Sequence, residues 1–215
     1  NDPQVRWFLL LVAGLIILLS WYLTQSGQGF GNAFRQASFN AVSIMTGTGY
    51  VSANYSAWGG FASTILLMAM FIGGCGGSTT CGIKVFRLQV LAATARVQIN
   101  RLLRPHAVVL AYYNRRPVTQ EVMDSVMGFF YLYILGFVLI ATLLGLMGLD
   151  FVTALSGAAT SISNVGPGLG EVIGADGNFS SLPDSAKWGM SFGMLLGRLE
   201  IFTVLVMLNP GFWQR

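Results

Sequence analysis

Ionisable side chains are scarce in this chain. Only 9% of its 215 residues are charged, one is histidine and two are cysteine, while 54% are hydrophobic. A soluble domain carries about 25% charged residues, so a water-facing surface over most of the chain is excluded and a bilayer is the expected solvent. No charge occurs from Val51 to Ile83 or from Ser125 to Leu149. A membrane-embedded enzyme would want a cluster of His, Asp or Glu within the apolar stretches, and only Glu200 stands there. An enzyme is therefore not expected. Cys75 and Cys81 lack the His or acidic neighbours of a metal site and read as reduced thiols.

What is present is long and apolar. A span needs roughly 20 apolar residues, and four stretches qualify: 5–24, 58–86, 121–148 and 186–210, the last broken past Trp188 only by Arg198 and Glu200. The five tryptophans (Trp7, Trp21, Trp58, Trp188 and Trp213) fall near span ends, as interfacial anchors do. Of the 12 basic residues, Lys84, Arg87, Arg96, Arg101, Arg104, Arg115 and Arg116 share one stretch between spans. Such a stretch reads as a cytoplasmic loop rather than a nucleic-acid surface. That places the N-terminus inside, Asp150 outside and Arg215 inside. His106 reads as a solvated residue of that loop. The chain has no initiator Met, and Asn1-Asp2-Pro3 leads at once into a span, so it is expected to be a piece of a longer membrane protein.

Two segments fit neither span nor ordinary loop. Residues 30–50 (FGNAFRQASFNAVSIMTGTGY) and 150–170 (DFVTALSGAATSISNVGPGLG) each run from a small-residue helical pattern into a glycine-rich stretch. They align without gaps at an offset of 117, pairing Phe34 with Phe151, Ala37 with Ala154, Ala41 with Ala158 and Gly49 with Gly166. The chain thus reads as two copies of span, re-entrant loop and span, with plain extracellular connections as the simpler rival.

Irregular backbone at membrane depth is tolerated only where protein buries it or water lines it. Glycines reach positive φ and let successive carbonyls face one side, and a ring of carbonyls can replace the hydration shell of a cation. TGTGY is close to the TVGYG of potassium filters. The pairing with SNVGPG at the equivalent place strengthens that reading. Pro167 bars the two loops from full identity.

The residues SIMTGTGY (43–50), FIGGCGGSTTCGIKVFR (71–87), SISNVGPGLG (161–170) and GRLEIFTVLVMLNPGFW (197–213) resemble the TrkH/TrkG family of potassium transporters, within the TrkH/KtrB/HKT superfamily. The resemblance implies an all-α transmembrane fold of two helix–pore loop–helix repeats, the third and fourth of a pseudo-fourfold ion-channel-like pore. It implies a third-type repeat at 1–86 with its pore loop at about 31–50, a basic cytoplasmic loop at 87–120, and a fourth-type repeat at 121–215 with its pore loop at about 150–167. It implies gated potassium uptake across the bacterial inner membrane. The filter would be made of the carbonyls of Thr46, Gly47, Thr48, Gly49, Ser163, Asn164, Val165 and Gly166. It also implies a homodimer of the full-length chain and a TrkA-type cytosolic nucleotide-binding ring, docked on the basic loop. No nucleic acid partner is implied. A relative passing sodium as well, or coupling potassium to protons or sodium as a symporter, is the alternative.

Residues 73–82 (GGCGGSTTCG) interrupt the second span with five glycines: Gly73, Gly74, Gly76, Gly77 and Gly82. Each costs a helix up to about 1 kcal/mol relative to alanine, so a break is expected, with a glycine-lined packing surface as the rival. A phosphate-binding reading fails because Lys84 comes one residue late for GxxxxGK[ST] and no strand precedes it. The family resemblance makes this segment, with Ser78 and Thr79, a pore-obstructing gate. Arg198 lies ten residues past Trp188, about 15 Å deep in a helix. Intramembrane charges usually face a cavity, so Arg198 is read as a barrier below the filter. A pair with Glu200 is disfavoured at i,i+2, and Glu200 is assigned to a neighbouring helix.

Overall fold

The computed structural model describes residues 2–104, 110–114, 116–199, 201–208 and 213. His106, Arg115 and Glu200 lie outside the described residues.

Helix α1 (Pro3–Gln25) starts where the Asp2 carboxylate accepts from the Gln4 amide, with Pro3 in the first turn, where its missing N–H costs nothing. Helices α1 and α5 (Gln120–Leu146) are long and apolar enough to cross a membrane, with mean hydropathies of 2.2 and 2.3. Helices α2 (Phe30–Met45) and α6 (Phe151–Ser163) have 16 and 13 residues, about 24 and 20 Å. Neither is long enough to cross. Ala33, Ala37 and Ala41, spaced by four, form the buried stripe of α2, and such small residues let helix backbones approach closely. Phe34, Phe39 and Val42 on its other side are exposed.

Helix α3 (Gly60–Phe71) has 12 residues, and the chain then leaves helical geometry until α4 (Val85–Leu103) begins. Residues 87–103 are thus helical, not part of a loop as expected. Val85 to Leu103 contains no glycine or proline, and a distant contact adds to this, the Arg87 guanidinium lying 3.7 Å from the Phe129 ring centroid of α5. Strands β1 (Tyr112–Tyr113) and β2 (Arg116–Pro117) form a short antiparallel pair. After α7 (Gly170–Ile173), α8 (Asp184–Arg198) stops at Arg198 and α9 (Ile201–Leu208) follows. The expected span at 186–210 is therefore two helices.

Two apolar cores follow the two halves, the first also taking in Ala159, Val165 and Leu169 of the second. Leu19, Leu23, Ile44, Met45, Leu66 and Met70 join α1, α2 and α3. Tyr133, Leu144, Ile162 and Met190 join α5, α6 and α8. Phe71 stitches the halves together, its ring centroid 5.0 Å from that of Phe137 at right angles. Trp58 is not an interfacial anchor: it is 8% exposed and stands edge-on to Tyr55.

Helix α6 is capped by Asp150, whose Oδ2 accepts from the Thr153 amide at 3.1 Å. Hydrogen bonds from the Thr153 side chain, and then from backbone amides at the helix start, hold its carboxyl below the usual carboxylate range despite some burial. A depressed folded-state pKa gives stability that is present above the unfolded value and lost as pH falls through the folded one. Asp150→Ala should therefore cost about 1 kcal/mol at neutral pH, read as a lower melting temperature in detergent. The gap to the parent should narrow as pH falls below about 4.

Candidate functional site

The two half-helices end in the same way. Thr46 caps α2 and Asn164 caps α6. At the offset of 117, Gly47 (φ 67°) matches Asn164 (φ 52°), and Gly49 (φ 77°) matches Gly166 (φ 114°). The left-handed positions thus coincide in both loops. Asn164 occupies one without being glycine, which asparagine tolerates better than most residues.

The hydrogen bonds repeat as well. The Thr48 amide donates to Ser43 O at 2.9 Å, and the Val165 amide to Thr160 O at 3.1 Å. The Gly49 amide reaches Ser43 O at 3.4 Å, while the Gly166 amide donates to the Thr160 hydroxyl at 2.9 Å. The loops thus differ in that acceptor and diverge further beyond it, where Ser43 Oγ donates to Tyr50 O at 2.6 Å and Pro167 takes the matching place. Other side chains brace the frame. Tyr133 OH and Ser163 Oγ are 2.7 Å apart, Asn164 Nδ2 donates to Met194 O at 2.9 Å, and Tyr55 OH donates to Gly168 O at 3.0 Å.

The loops also touch. A Cβ on Gly49 would lie 2.5 Å from Val165 O, one on Gly47 would lie 3.6 Å from Asn164 O, and one on Gly166 would lie 3.6 Å from Gly49 Cα. Of the expected filter residues, Gly47 and Gly49 therefore face Asn164, Val165 and Gly166 directly. Thr46 and Thr48 join through their hydroxyls, 2.7 Å apart, with Thr46 Oγ1 donating on to Val42 O.

The interrupting segment is closed at its base. The Gly73 amide donates to Ile83 O at 2.9 Å, the Ile83 amide to Phe71 O at 2.8 Å and the Val85 amide to Gly74 O at 3.1 Å. Gly73 and Gly82 are pressed together, so that a Cβ on Gly73 would overlap Cys81 O. The tip points toward the loops and toward α8. Ser78, Thr79, Thr80, Cys81, Gly82 and Arg198 line a cavity of about 190 Å³, together with Lys84, Arg87, Phe129, Tyr133 and Gly197. Arg198 Nη1 donates to Thr79 O at 2.6 Å and approaches Cys81 Sγ at 3.7 Å. Among the described residues, the side chains of Lys84, Arg87 and Arg198 line this space. Gly76 lies elsewhere, its amide donating to Gln4 Oε1 of α1 at 2.7 Å. Gly77 (φ 82°) would meet nothing within 4 Å.

Several site residues escape the sequence reading. Thr80 and Tyr133 carry no local signal. Gly193 and Gly197 do, as small residues four apart in α8. Side chains there would meet Ser161 and the Ile162 carbonyl of α6.

Half-helices that stop inside an apolar bundle, each handing over to a left-handed turn that meets its counterpart, define an all-α membrane protein of two pore-loop-like repeats. A family model described as TrkH, cation transport protein, matches residues 1–214. The chain belongs to the TrkH family. It is 47% identical to the Trk system potassium uptake protein TrkI of Halomonas elongata over 216 residues, covering 100% of this chain and 44% of that protein. It is 40% identical to TrkH of the same organism over 219 residues, again all of this chain and 44% of the relative. The crystal structure of the potassium transporter TrkH from Vibrio parahaemolyticus superposes with a TM-score of 0.90 at 38% identity, over 99% of this chain and 45% of that one. The chain thus spans less than half the length of these relatives.

The α6–α8 contact fixes where Asn164 meets Met194, and it tolerates no side chain at Gly197. Gly197→Ala should cost about 1–3 kcal/mol through overpacking against backbone, lowering the melting temperature of the full-length protein in detergent. Gly189→Ala, where nothing lies within 4 Å, should leave it close to the parent.

Proposed function

We propose that this chain forms half of a gated, potassium-selective pathway for uptake across the bacterial inner membrane. The observation that carries the proposal is the coincidence of the left-handed positions Gly47 with Asn164 and Gly49 with Gly166, in two loops that abut at the ends of two half-helices. The carbonyls of Thr46, Gly47, Thr48 and Gly49 and of Ser163, Asn164, Val165 and Gly166 replace the water of a dehydrated potassium ion. Helices α2 and α6 aim the negative ends of their dipoles at that ion. Potassium is the cargo, and no bond is made or broken. The lower segment supplies the gate: Gly73, Gly74 and Gly82 close its base, Gly76 and Gly77 carry its turn, and Ser78 and Thr79 face the cavity. Arg198 sets a positive charge in the ion's path while the gate is shut. The names of the relatives support potassium as the cargo. The same kinship supports a homodimer of the full-length chain and a TrkA-type nucleotide-binding ring on the cytosolic side, where α4 and the β1–β2 pair carry the basic residues.

Two experiments on the reconstituted full-length protein test this. Gly49→Ser places a Cβ against Val165 O and should lower the rubidium-to-sodium flux ratio by at least several-fold. An unchanged ratio would remove Gly49 from the filter. Arg198→Ala should raise resting rubidium flux without lowering that ratio, and an equal or smaller flux at equal protein density would end its role as a barrier.

A further inference from the structure

One side chain of the interrupting segment reaches the first glycine loop. Thr80 Oγ1 donates to Thr46 O at 3.2 Å, and its methyl carbon would lie 3.6 Å from a Cβ on Gly47. The acceptor is a particular carbonyl. Thr46 caps α2, and its own amide turns back to Val42 O at 2.9 Å. Its carbonyl belongs to the helix end whose oxygens lack intrahelical partners and carry the negative pole of the dipole. It is also the first of the four carbonyls of the TGTG run proposed to strip water from the ion.

The neighbouring residue is held from the other side. Thr79 O accepts from Arg198 Nη1 at 2.6 Å, so the dipeptide 79–80 is stretched between a guanidinium on α8 and a carbonyl at the end of α2. The base of the segment is fixed separately by the Gly73, Ile83 and Val85 amides. The tip can therefore leave without the base unravelling, and its departure would break the Thr80 and Arg198 bonds together.

We propose that Thr80 is a positioning residue that couples the gate to the filter. This rests on the filter reading above. With the gate shut, the Thr80 hydroxyl proton stands against the Thr46 oxygen, on the side from which an ion at the inner end of the filter would be coordinated. It holds that oxygen in register and shares its lone pairs. When the segment withdraws, the oxygen turns wholly to the ion. Opening the gate and completing the innermost carbonyl level are then one event. A segment that merely plugged the pore would need no hydrogen bond to the filter.

The test compares Thr80→Val, Thr80→Ser and Gly49→Ser in full-length protein reconstituted in liposomes, reading resting rubidium influx and the rubidium-to-sodium ratio at matched protein density. Valine keeps the shape and loses the hydroxyl. With the gate shut it should leave the Thr46 oxygen out of register, so the resting influx should rise and the ratio of that resting flux should fall, each by roughly two- to ten-fold, the change that loss of one hydrogen bond produces. Serine should keep both near the parent. If Gly49→Ser lowers the ratio while Thr80→Val leaves it unchanged, with or without a rise in influx, the coupling is overturned and the filter reading stands. If neither variant moves the ratio, both fall. If serine behaves as valine does, packing of the methyl against Gly47 is responsible and the coupling is overturned. Should the valine variant fail to reconstitute, Thr80→Ala takes its place with the same expected outcome.

Discussion

A helix that stops inside an apolar bundle leaves its last carbonyls without partners, and in lipid no water is at hand to supply them. The two glycine-rich loops answer that constraint. Helices α2 and α6 stop at Met45 and Ser163, and the chain turns back through left-handed residues that place the following oxygens together. Left-handed backbone is cheap only for glycine and tolerable for asparagine, which accounts for Gly47, Gly49, Asn164 and Gly166. Close approach adds a second demand at Gly49, where any Cβ would press on Val165 O at 2.5 Å. The frame around the turns is polar and buried: Ser156, Thr160, Ser161 and Ser163 of α6 are at most 2% exposed. Several of these hydroxyls bond the turn itself, Ser156 to the Leu169 amide and Thr160 to the Gly166 amide. Buried hydroxyls are costly unless paired, and here pairing holds the backbone in shape.

Much of this was legible because it is periodic. The fixed offset between the two glycine stretches needs no tertiary information, and it carried over to φ signs and amide partners that no sequence pattern states. The break after Phe71 was legible for a similar reason, since five glycines in ten residues defeat a helix on propensity alone. What escaped depends on neighbours distant in the chain. Trp58 looked like an interfacial anchor because tryptophans end spans, yet it packs on Tyr55 inside the first core. Residues 87–103 looked like a loop because they are basic. Charge, however, says which side of a membrane a segment prefers and not whether it is helical, and the Phe129 ring that anchors Arg87 lies some forty residues on. Asn164 was expected for its carbonyl. Its side chain, which bonds Met194 O and ties the turn to α8, could not be read from spacing.

The two fields in this structure oppose each other across a short distance. On one side lie the carbonyl ends of two half-helices, where a cation is favoured. On the other lies the cavity lined by Lys84, Arg87 and Arg198, where the proposed pathway has the Arg198 charge oppose a cation. Lys84 is the N-cap residue of α4 and Arg87 stands in its first turn, the helix end that already carries positive dipole charge and ordinarily attracts acidic residues. Helix stability does not explain that placement. Arg198 is different, because it sits in the last turn of α8, where a cation complements the dipole. One nitrogen of its guanidinium, Nη1, donates to Thr79 O and approaches Cys81 Sγ. The charge and the tether are separate functions of the same group. In the proposed pathway the charge opposes a cation in the cavity, and the tether keeps residues 79–80 within reach of Thr46.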